Sequence, residues 1–392
     1  MAYAWVVKPR VGIFTRPIDQ RTSGSGSHLR EIVRTMLGMA DDFELVFCHY
    51  EHNSEFGAYQ EAEELILPRN PIAASRALRA AGLDLVHYNP LTIYSPLFVG
   101  RRGRKGRGAA PAERDRRSGS GVTRRVATIH GAAPLFLPDQ YSHRHVLHER
   151  HVVKALGRRM DHLFAVSKAT KRFMVETYQI PADRIDVIYN AVDPSFRRLS
   201  TDRLDRSRFA ELTPFVFHLS KFSERKNPWT ILEAFTTLSG IHPELSLVLA
   251  GSGWQNPTVE RYLEERNIAD RVIFSGFLVK EEIVELMNLA EVFVFPSLYE
   301  GFGMPNLEAM ACGCPVVTSN AFAIPEVVGD AAITLADPRD SAALTEAISR
   351  IRGNPELAAD LSERGAARAR SFSWEHSVET ILGAYRRLLG MM

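Results

Sequence analysis

Pro296-Ser-Leu-Tyr-Glu300-Gly-Phe-Gly303-Met-Pro305-Asn-Leu-Glu308-Ala-Met-Ala-Cys-Gly313-Cys-Pro315 is the stretch on which the reading of this chain turns. An apolar run, Val292-Phe-Val-Phe295, precedes it and reads as a buried parallel strand. Val316-Val-Thr318 follows as the next strand. Between them the punctuation predicts a short helix, with Pro305 at its first position and Gly313 as its stop. Gly301, Gly303 and Pro305 prevent one helix from running through both glutamates. Glu300 therefore falls on the loop leaving the strand, and Glu308 in the first turns of the helix. In open α/β sheets that is the crevice at the carboxyl ends of the strands, where ligands bind. Two glycines let a ligand approach the backbone, and a helix start offers free N–H groups to an anion. Two carboxylates beside such N–H groups suit a ligand with both hydroxyls and phosphates, such as a nucleotide-sugar. The bare Glu-x7-Glu spacing is common and by itself marks two solvated glutamates on a connector.

The whole string is far more specific than that spacing. Proline, serine, glutamate, a Gly-Phe-Gly turn, proline, Glu-Ala-Met-Ala, glycine and Pro-Val-Val resemble, nearly residue for residue, the signature of the family-4 retaining glycosyltransferases of GT-B fold. That resemblance implies two Rossmann-like doubly wound parallel-sheet domains facing across a cleft. It implies that Glu308 holds the ribose hydroxyls of the donor nucleotide and that Glu300 lies beside the donor sugar. It implies that the backbone N–H groups of Gly301, Phe302, Gly303 and Met304 face the sugar and diphosphate.

Bulk composition is compatible with this and selects little else. A chain of 392 residues, 45% hydrophobic and 24% charged, is an ordinary soluble globular composition, long enough for two or three domains. Formal net charge is +2 and selects no class of partner. That balance hides an asymmetry: residues 101–125 carry ten Arg or Lys against two acids, a net +8, which leaves −6 for the remainder. The three cysteines, Cys48, Cys312 and Cys314, make neither a disulfide framework nor a metal set, and fit a reducing compartment. No signal peptide is visible at Met1–Arg10 and no apolar run reaches 18 residues. A cytoplasmic protein is expected, at most peripheral on the inner face of the plasma membrane.

Residues 1–196 read as the first domain. Its expected strands are Arg10–Phe14, Glu44–Cys48, Leu83–His87, Arg125–Ile129, His162–Val166 and Ile185–Tyr189, alternating with helices. The segment Thr22-Ser-Gly-Ser-Gly26-Ser-His28 reads as a glycine-rich loop before a helix starting at Leu29. A dinucleotide fingerprint is excluded, because position 29 is Leu where a third glycine would stand. The loop remains suited to cradle an anion, and the resemblance places Gly26 near the donor phosphate and acceptor. Residues 100–125 are basic, low in complexity and nearly free of apolar side chains, so a mobile insert is expected. Three readings stay open for it: a solvated insert, attraction to an anionic membrane or lipid-linked acceptor, and nucleic-acid contact. The last is disfavoured because no aromatic residues interleave with the charges. His130, in Ala127-Thr-Ile-His130-Gly131, follows a strand end. A lone histidine is most often structural, but the resemblance places it against the donor sugar. His143, His145, His148 and His151 read as an amphipathic surface helix, and no metal is assigned. Asn190-Ala-Val-Asp193 resembles the family turn that closes the first domain, with Ala191 in place of glycine.

After a polar linker around Arg197–Arg208, residues 209–373 read as the nucleotide-sugar domain. Its strands are Phe215–Leu219, Leu245–Ala250, Arg271–Phe274, Val292–Phe295, Pro315–Thr318 and Ala332–Leu335. Three cations, Lys221, Arg225 and Lys226, stand just past the first of these and suit a pyrophosphate. The family usually has Gly-Arg at Ser220-Lys221, so Lys221 offers a point charge for a forked guanidinium and Arg225 is the compensating neighbour. Phe274 lies in the segment whose backbone lines the nucleobase in the resembled family. Residues 374–392 are expected as a final amphipathic helix crossing back onto the first domain.

The expected activity is transfer of a hexosyl group, mannosyl by preference, from GDP-mannose or a UDP-hexose to a glycan or lipid-linked acceptor, with retention at the anomeric carbon. His130, Lys226 and Glu300 are the residues expected at the chemistry. No cofactor or metal is expected, and no nucleic-acid partner. The competing reading is a non-catalytic GT-B scaffold that binds a glycan or a protein; the intact set of site residues argues against it.

Overall fold

Two all-parallel sheets organise the chain. The computed structural model describes residues 8–15, 18, 24–51, 57–89 and 123–391. The basic insert read from the sequence lies outside the described residues up to position 122. Contacts divide the protein into one unit of Met1–Leu135, Ser142–Tyr189 and Trp374–Met392 and a second of Phe136–Tyr141 and Asn190–Ser373.

The first unit holds β1 (Arg10–Phe14), β2 (Glu44–His49), β3 (Glu63–Ile66), β4 (Leu85–Tyr88), β5 (Arg124–Ile129), β6 (His162–Ala165) and β7 (Ile185–Val187). They pair in the order β3-β2-β1-β4-β5-β6-β7. The second unit holds β8 (Phe215–Leu219), β9 (Ser246–Ala250), β10 (Val272–Gly276), β11 (Val292–Phe295), β12 (Val316–Ser319) and β13 (Ile333–Leu335), in the order β10-β9-β8-β11-β12-β13. Both are the doubly wound pattern expected from the alternation of apolar runs and helical periods. Each sheet reverses its strand order once, between β1 and β4 and between β8 and β11. Such a reversal splays the following connections to opposite faces and opens a crevice at the carboxyl ends.

Central strands such as β4, β11 and β12 are buried along their whole length, and β11 reads as a continuous apolar run, Val292-Phe-Val-Phe295. β3 escaped the sequence reading. It is a four-residue edge strand with two glutamates and no buried residue, so no apolar run marks it. The helix Pro355–Arg370 was likewise not anticipated. It packs on the helix Met304–Ala311, where Gly365 lies against Met310; a Cβ there would stand 3.2 Å from the methionine side chain.

One expectation is corrected. The loop expected over Thr22–His28 is, from Gly24 onward, the start of the helix Gly24–Leu37, and Gly26 is buried within that helix. Glycine is a poor helix former, but tertiary packing outweighs it. The buried His28 ring lies edge-on against His130 at 4.8 Å and Trp374 at 5.7 Å, which fixes the first turns. Trp374 opens the helix Trp374–Leu389, which packs on Gly24–Leu37 and buries Val378, Ile381, Leu382 and Tyr385. The Tyr385 hydroxyl bonds His87 Nδ1 at 2.7 Å, and His87 Nε2 bonds Thr128 Oγ1 at 2.8 Å. Burial pulls His87 down to about 3, so this ring is neutral at ordinary pH.

In the second unit the turn after β9 is fitted against the loop after β8. Gly251 adopts a positive φ of 109°, and a Cβ there would stand 2.2 Å from the Ser220 carbonyl oxygen. Trp254 Nε1 donates to that same oxygen at 2.8 Å. Gly251→Ala should therefore destabilise the protein by about 2–4 kcal/mol, from strain and forced displacement of the β8 loop. Calorimetric unfolding of the variant checks this; an unchanged transition temperature would mean that the loop yields freely.

Candidate functional site

Glu300 leaves β11 on the loop Pro296–Gly303, and the cations leave β8 on the loop Ser220–Asn227, so the two meet across the β8/β11 reversal. Glu300 Oε1 accepts from Lys226 Nζ at 2.6 Å, Arg225 Nη1 at 2.7 Å and Ser297 Oγ at 2.6 Å. Arg225 Nη1 also donates to the Tyr299 carbonyl at 2.9 Å. The backbones are joined as well: Leu298 N donates to Arg225 O at 2.8 Å and Ser297 Oγ to the same oxygen at 3.1 Å. Asn227, at a left-handed φ of 58°, turns the chain into the helix Pro228–Ile241, and its Nδ2 donates to Pro296 O at 3.1 Å.

Burial alone would raise the Glu300 pKa. Lys226 and Arg225 outweigh it and hold the carboxyl below its ordinary range, so it is ionised. Lys226 is itself drawn down by burial, against the pull of Glu300, and its ammonium sits 4.4 Å from the centre of the Phe295 ring. Lys221 stands apart. It is exposed, and among the described residues it makes no ion pair, so its charge is open to solvent and ligand.

Gly303 caps the helix Met304–Ala311 at a φ of 97°, with Pro305 in the first turn. The chain leaves that helix through Gly313, at a φ of 77°. Gly313 follows the helix as the stop read from the sequence, and the helix begins one residue before Pro305. Glu308 is half-buried on this helix, and among the described residues its carboxylate takes no hydrogen bond. Burial pushes its pKa up to about 7; Lys280 opposes this and Asp193 adds to it. Lys280 and Asp193 form an ion pair of their own, and Asp193 also accepts from Ser195 N at 2.8 Å and Ser195 Oγ at 2.6 Å. Phe302 is buried edge-on against Phe372 at 5.6 Å. Phe274, on β10, is half-buried and packs against the apolar core of the second unit.

In the first unit, His130 follows β5, and its Nε2 donates to Asn89 Oδ1 at 2.8 Å. Asn89 is the residue directly after β4, so this pair sits one strand from the β1/β4 reversal. Burial, then His28 and His87, hold the His130 pKa well below the ordinary histidine value. The ring is neutral, with Nδ1 left as an acceptor. Gly26 lies in the first turns of the neighbouring helix.

The structure thus joins Lys226, Arg225 and Glu300 by direct bonds and sets Gly301–Met304 beside them. Glu308 has other electrostatic neighbours, Asp193 and Lys280. Sequence reasoning missed three partners: Ser297 on Glu300, Lys280 near Glu308 and Asn89 on His130. Ser297 and Asn89 carried a signal, since each follows a buried strand. Lys280 carried none, because its role depends on where the helix Lys280–Leu289 is docked. Cys312 and Cys314 are buried free thiols at the helix-to-strand step, as read from the sequence. Among the described residues no helix is long and apolar enough to cross a membrane.

Comparisons with known proteins fit this geometry. Residues 22–196 match the family described as Glycosyltransferase Family 4, and residues 201–368 match Glycosyl transferases group 1. The O-antigen chain mannosyltransferase B of Escherichia coli is 31% identical over 283 residues, which is 68% of this chain and 71% of that protein. The serotype-specific mannosyltransferase WbdA of Escherichia coli is 29% identical over 276 residues, 67% of this chain and 33% of WbdA, so the match spans about a third of that longer protein. The crystal structure of Anabaena HepE in complex with UDP and glucose superposes with a TM-score of 0.73 at 18% identity, covering 96% of this chain and 98% of HepE. That likeness speaks to fold alone.

Glu308 yields a test that needs no substrate. Its pKa in the folded chain lies above the ordinary 4.5, so the unfolded chain loses this proton first as pH rises. Stability is lost between pH 4.5 and about 7, and the penalty is complete above that. Glu308→Gln removes it. The variant should match the parent at pH 4.5 and be more stable by about 1–3 kcal/mol at pH 8. Urea unfolding at the two pH values checks this, and equal stabilities at pH 8 would show that Glu308 is solvated.

Proposed function

This chain belongs to the group 1 glycosyltransferases of family 4, with the GT-B fold, and from that premise we propose that it transfers a hexosyl group, mannosyl by preference, from a nucleoside-diphosphate sugar to a glycan or lipid-linked acceptor with retention of anomeric configuration. The observation that carries this reading is the Glu300–Lys226–Arg225 cluster at the β8/β11 reversal, one turn from a helix start whose cap, Gly303, brings no side chain to its N–H groups. The mannosyl preference is supported by the names of the Escherichia coli relatives, and GDP-mannose is the donor it implies. UDP-hexoses are the competing donors.

The chemical task is departure of a nucleoside diphosphate from a sugar that gains oxocarbenium character. Negative charge grows on the leaving phosphate, so fixed donors aimed there lower the barrier. In this reading Lys226 and Arg225 supply that charge from positions already fixed by Glu300, and the exposed Lys221 swings onto the phosphate as it binds. The N–H groups of Gly301–Met304 complete the anion site. These cations serve where other transferases use a divalent ion, so no metal is assigned a step. Glu308, whose carboxylate takes no hydrogen bond among the described residues, accepts the ribose hydroxyls. Neutral His130 offers Nδ1 to a sugar hydroxyl. Retention follows from attack on the face that the diphosphate leaves.

A thermal-shift series with GDP, UDP and ADP tests the donor: the cognate diphosphate raises the melting temperature, by an amount equivalent to about 2.7 kcal/mol at a hundredfold excess over Kd. Glu308→Ala should raise the donor KM about tenfold with kcat little changed, and Lys226→Ala should lower kcat about 100-fold or more. Unchanged donor affinity in Glu308→Ala would remove the ribose assignment. Failure of every diphosphate to stabilise the protein would remove the donor reading as a whole.

A further inference from the structure

A cavity of about 780 Å³ opens in the second unit, and neither Glu300 nor Lys226, Arg225 or Glu308 lines it. Its volume falls within the roughly 300–1,000 Å³ of small-molecule sites. One wall is the helix Pro355–Arg370, which presents Glu363, Ala366, Ala367 and Arg370 at the i, i+3, i+4 and i+7 spacing of a single face. Two alanines in the middle of that face leave a depth that longer side chains would fill. A second wall is the segment 192–198, and Ala311 and Phe372 complete the lining.

Four of the lining residues are arginines: Arg197, Arg198, Arg364 and Arg370. Arg198 is tied down, its Nη2 donating to Ser362 Oγ at 2.8 Å, and Arg364 is paired with Asp360. Arg197 and Arg370 are exposed, and among the described residues their guanidinium groups make no ion pair or hydrogen bond. The acids of the lining do not neutralise them. Asp193 is held by Lys280 and Ser195. Glu363 stands seven residues before Arg370, roughly 10 Å away along the helix. Between the charges the lining is apolar: Phe196, Ala366 and Ala369 are buried and Phe372 is half-buried. A free guanidinium fork beside a hollow with aromatic rings suits an amphipathic anion, because the fork matches a phosphate and the rings take an apolar body.

We propose that this cavity is a second ligand site, which takes an organic phosphate with its ring in the apolar hollow and its phosphate on Arg370. Arg197, next to Phe196 in the chain, adds positive potential, so a dianion is favoured over a monocarboxylate. Glu363 bounds the far end. It repels a phosphate there, which turns the head toward Arg370, and it leaves the body about two helical turns of space. That length suits a ring system and not a long lipid chain. None of the residues assigned to the donor takes part, so this site stands or falls apart from the donor reading.

The test is calorimetric titration of the full chain with 1-naphthyl phosphate, with GDP and UDP in excess so that the donor site is filled. Inorganic phosphate and 1-naphthol serve as the head and the body alone. Arg370→Gln removes the fork, and Ala367→Trp fills the cavity without removing a charge. Both positions are exposed, so each ligand-free variant should melt with the parent. Expected is saturable binding of 1-naphthyl phosphate by the parent, about tenfold or more tighter than either fragment, and a loss of about tenfold or more in each variant. Absence of binding to the parent overturns the proposal, as does an affinity retained in either variant. Inorganic phosphate bound as tightly as the aryl phosphate would show that surface arginines hold an anion without using the cavity. Binding seen without the nucleotides and abolished by them would place the ligand in the donor site instead.

Discussion

A carboxylate held between two cations sets the geometry of the second unit's strand ends. Glu300 is sunk into the loop after β11, where burial opposes its charge, and it stays ionised because Lys226, Arg225 and Ser297 all donate to one of its oxygens. Removing one member of such a group leaves an uncompensated buried charge, which costs far more than the intact cluster contributes. The cluster therefore locks the β8 loop to the β11 loop across the reversal of strand order. The same bonds that rigidify the loops also hold two cations in place before any ligand arrives. Preorganised charge of this kind needs no rearrangement when negative charge develops.

The first unit solves the equivalent problem with neutral groups. Around the ends of β4 and β5 stand His28, His87, His130, Asn89, Thr128 and Tyr385, buried or nearly so. Burial disfavours charge on these rings, and imidazoles crowded in this way also repel one another once charged, so His87 and His130 are kept unprotonated. The strand ends of one unit carry fixed charge, and those of the other carry neutral donors and acceptors. Glu308 lies between these extremes: a carboxylate that takes no hydrogen bond among the described residues, poised near neutrality by its own burial. It and the Asn306 amide, both on the helix Met304–Ala311, take no side-chain hydrogen bond among the described residues. Locally costly groups persist where function requires them.

Much of this was readable from residue order. Glycine and proline announced both ends of the helix Met304–Ala311, because only glycine takes the positive φ found at Gly303 and Gly313 without strain. Apolar runs announced the central strands, because strands buried on both faces are predominantly apolar. The strand β3 was not readable, since an exposed edge imposes no apolar pattern. The start of the helix Gly24–Leu37 was misread for the opposite reason: local propensity pointed to a loop, and packing of His28 on His130 and Trp374 overrode it.

The sequence by itself determined the alternation of most strands and helices and the residue types delivered to the strand ends, because periodicity and turn chemistry act over short spans of chain. Only the tertiary structure decided which of those residues meet. Lys226 and Glu300 are 74 positions apart, His87 and Tyr385 nearly 300, and no local rule relates them. Surroundings decided the rest: Lys226 and Arg225 hold Glu300 charged against its burial, and burial raises Glu308 toward neutrality and encloses the Asn306 amide beside Gly303. A pKa and an unmet hydrogen bond belong to the surroundings of a side chain, and those exist only once the chain has folded.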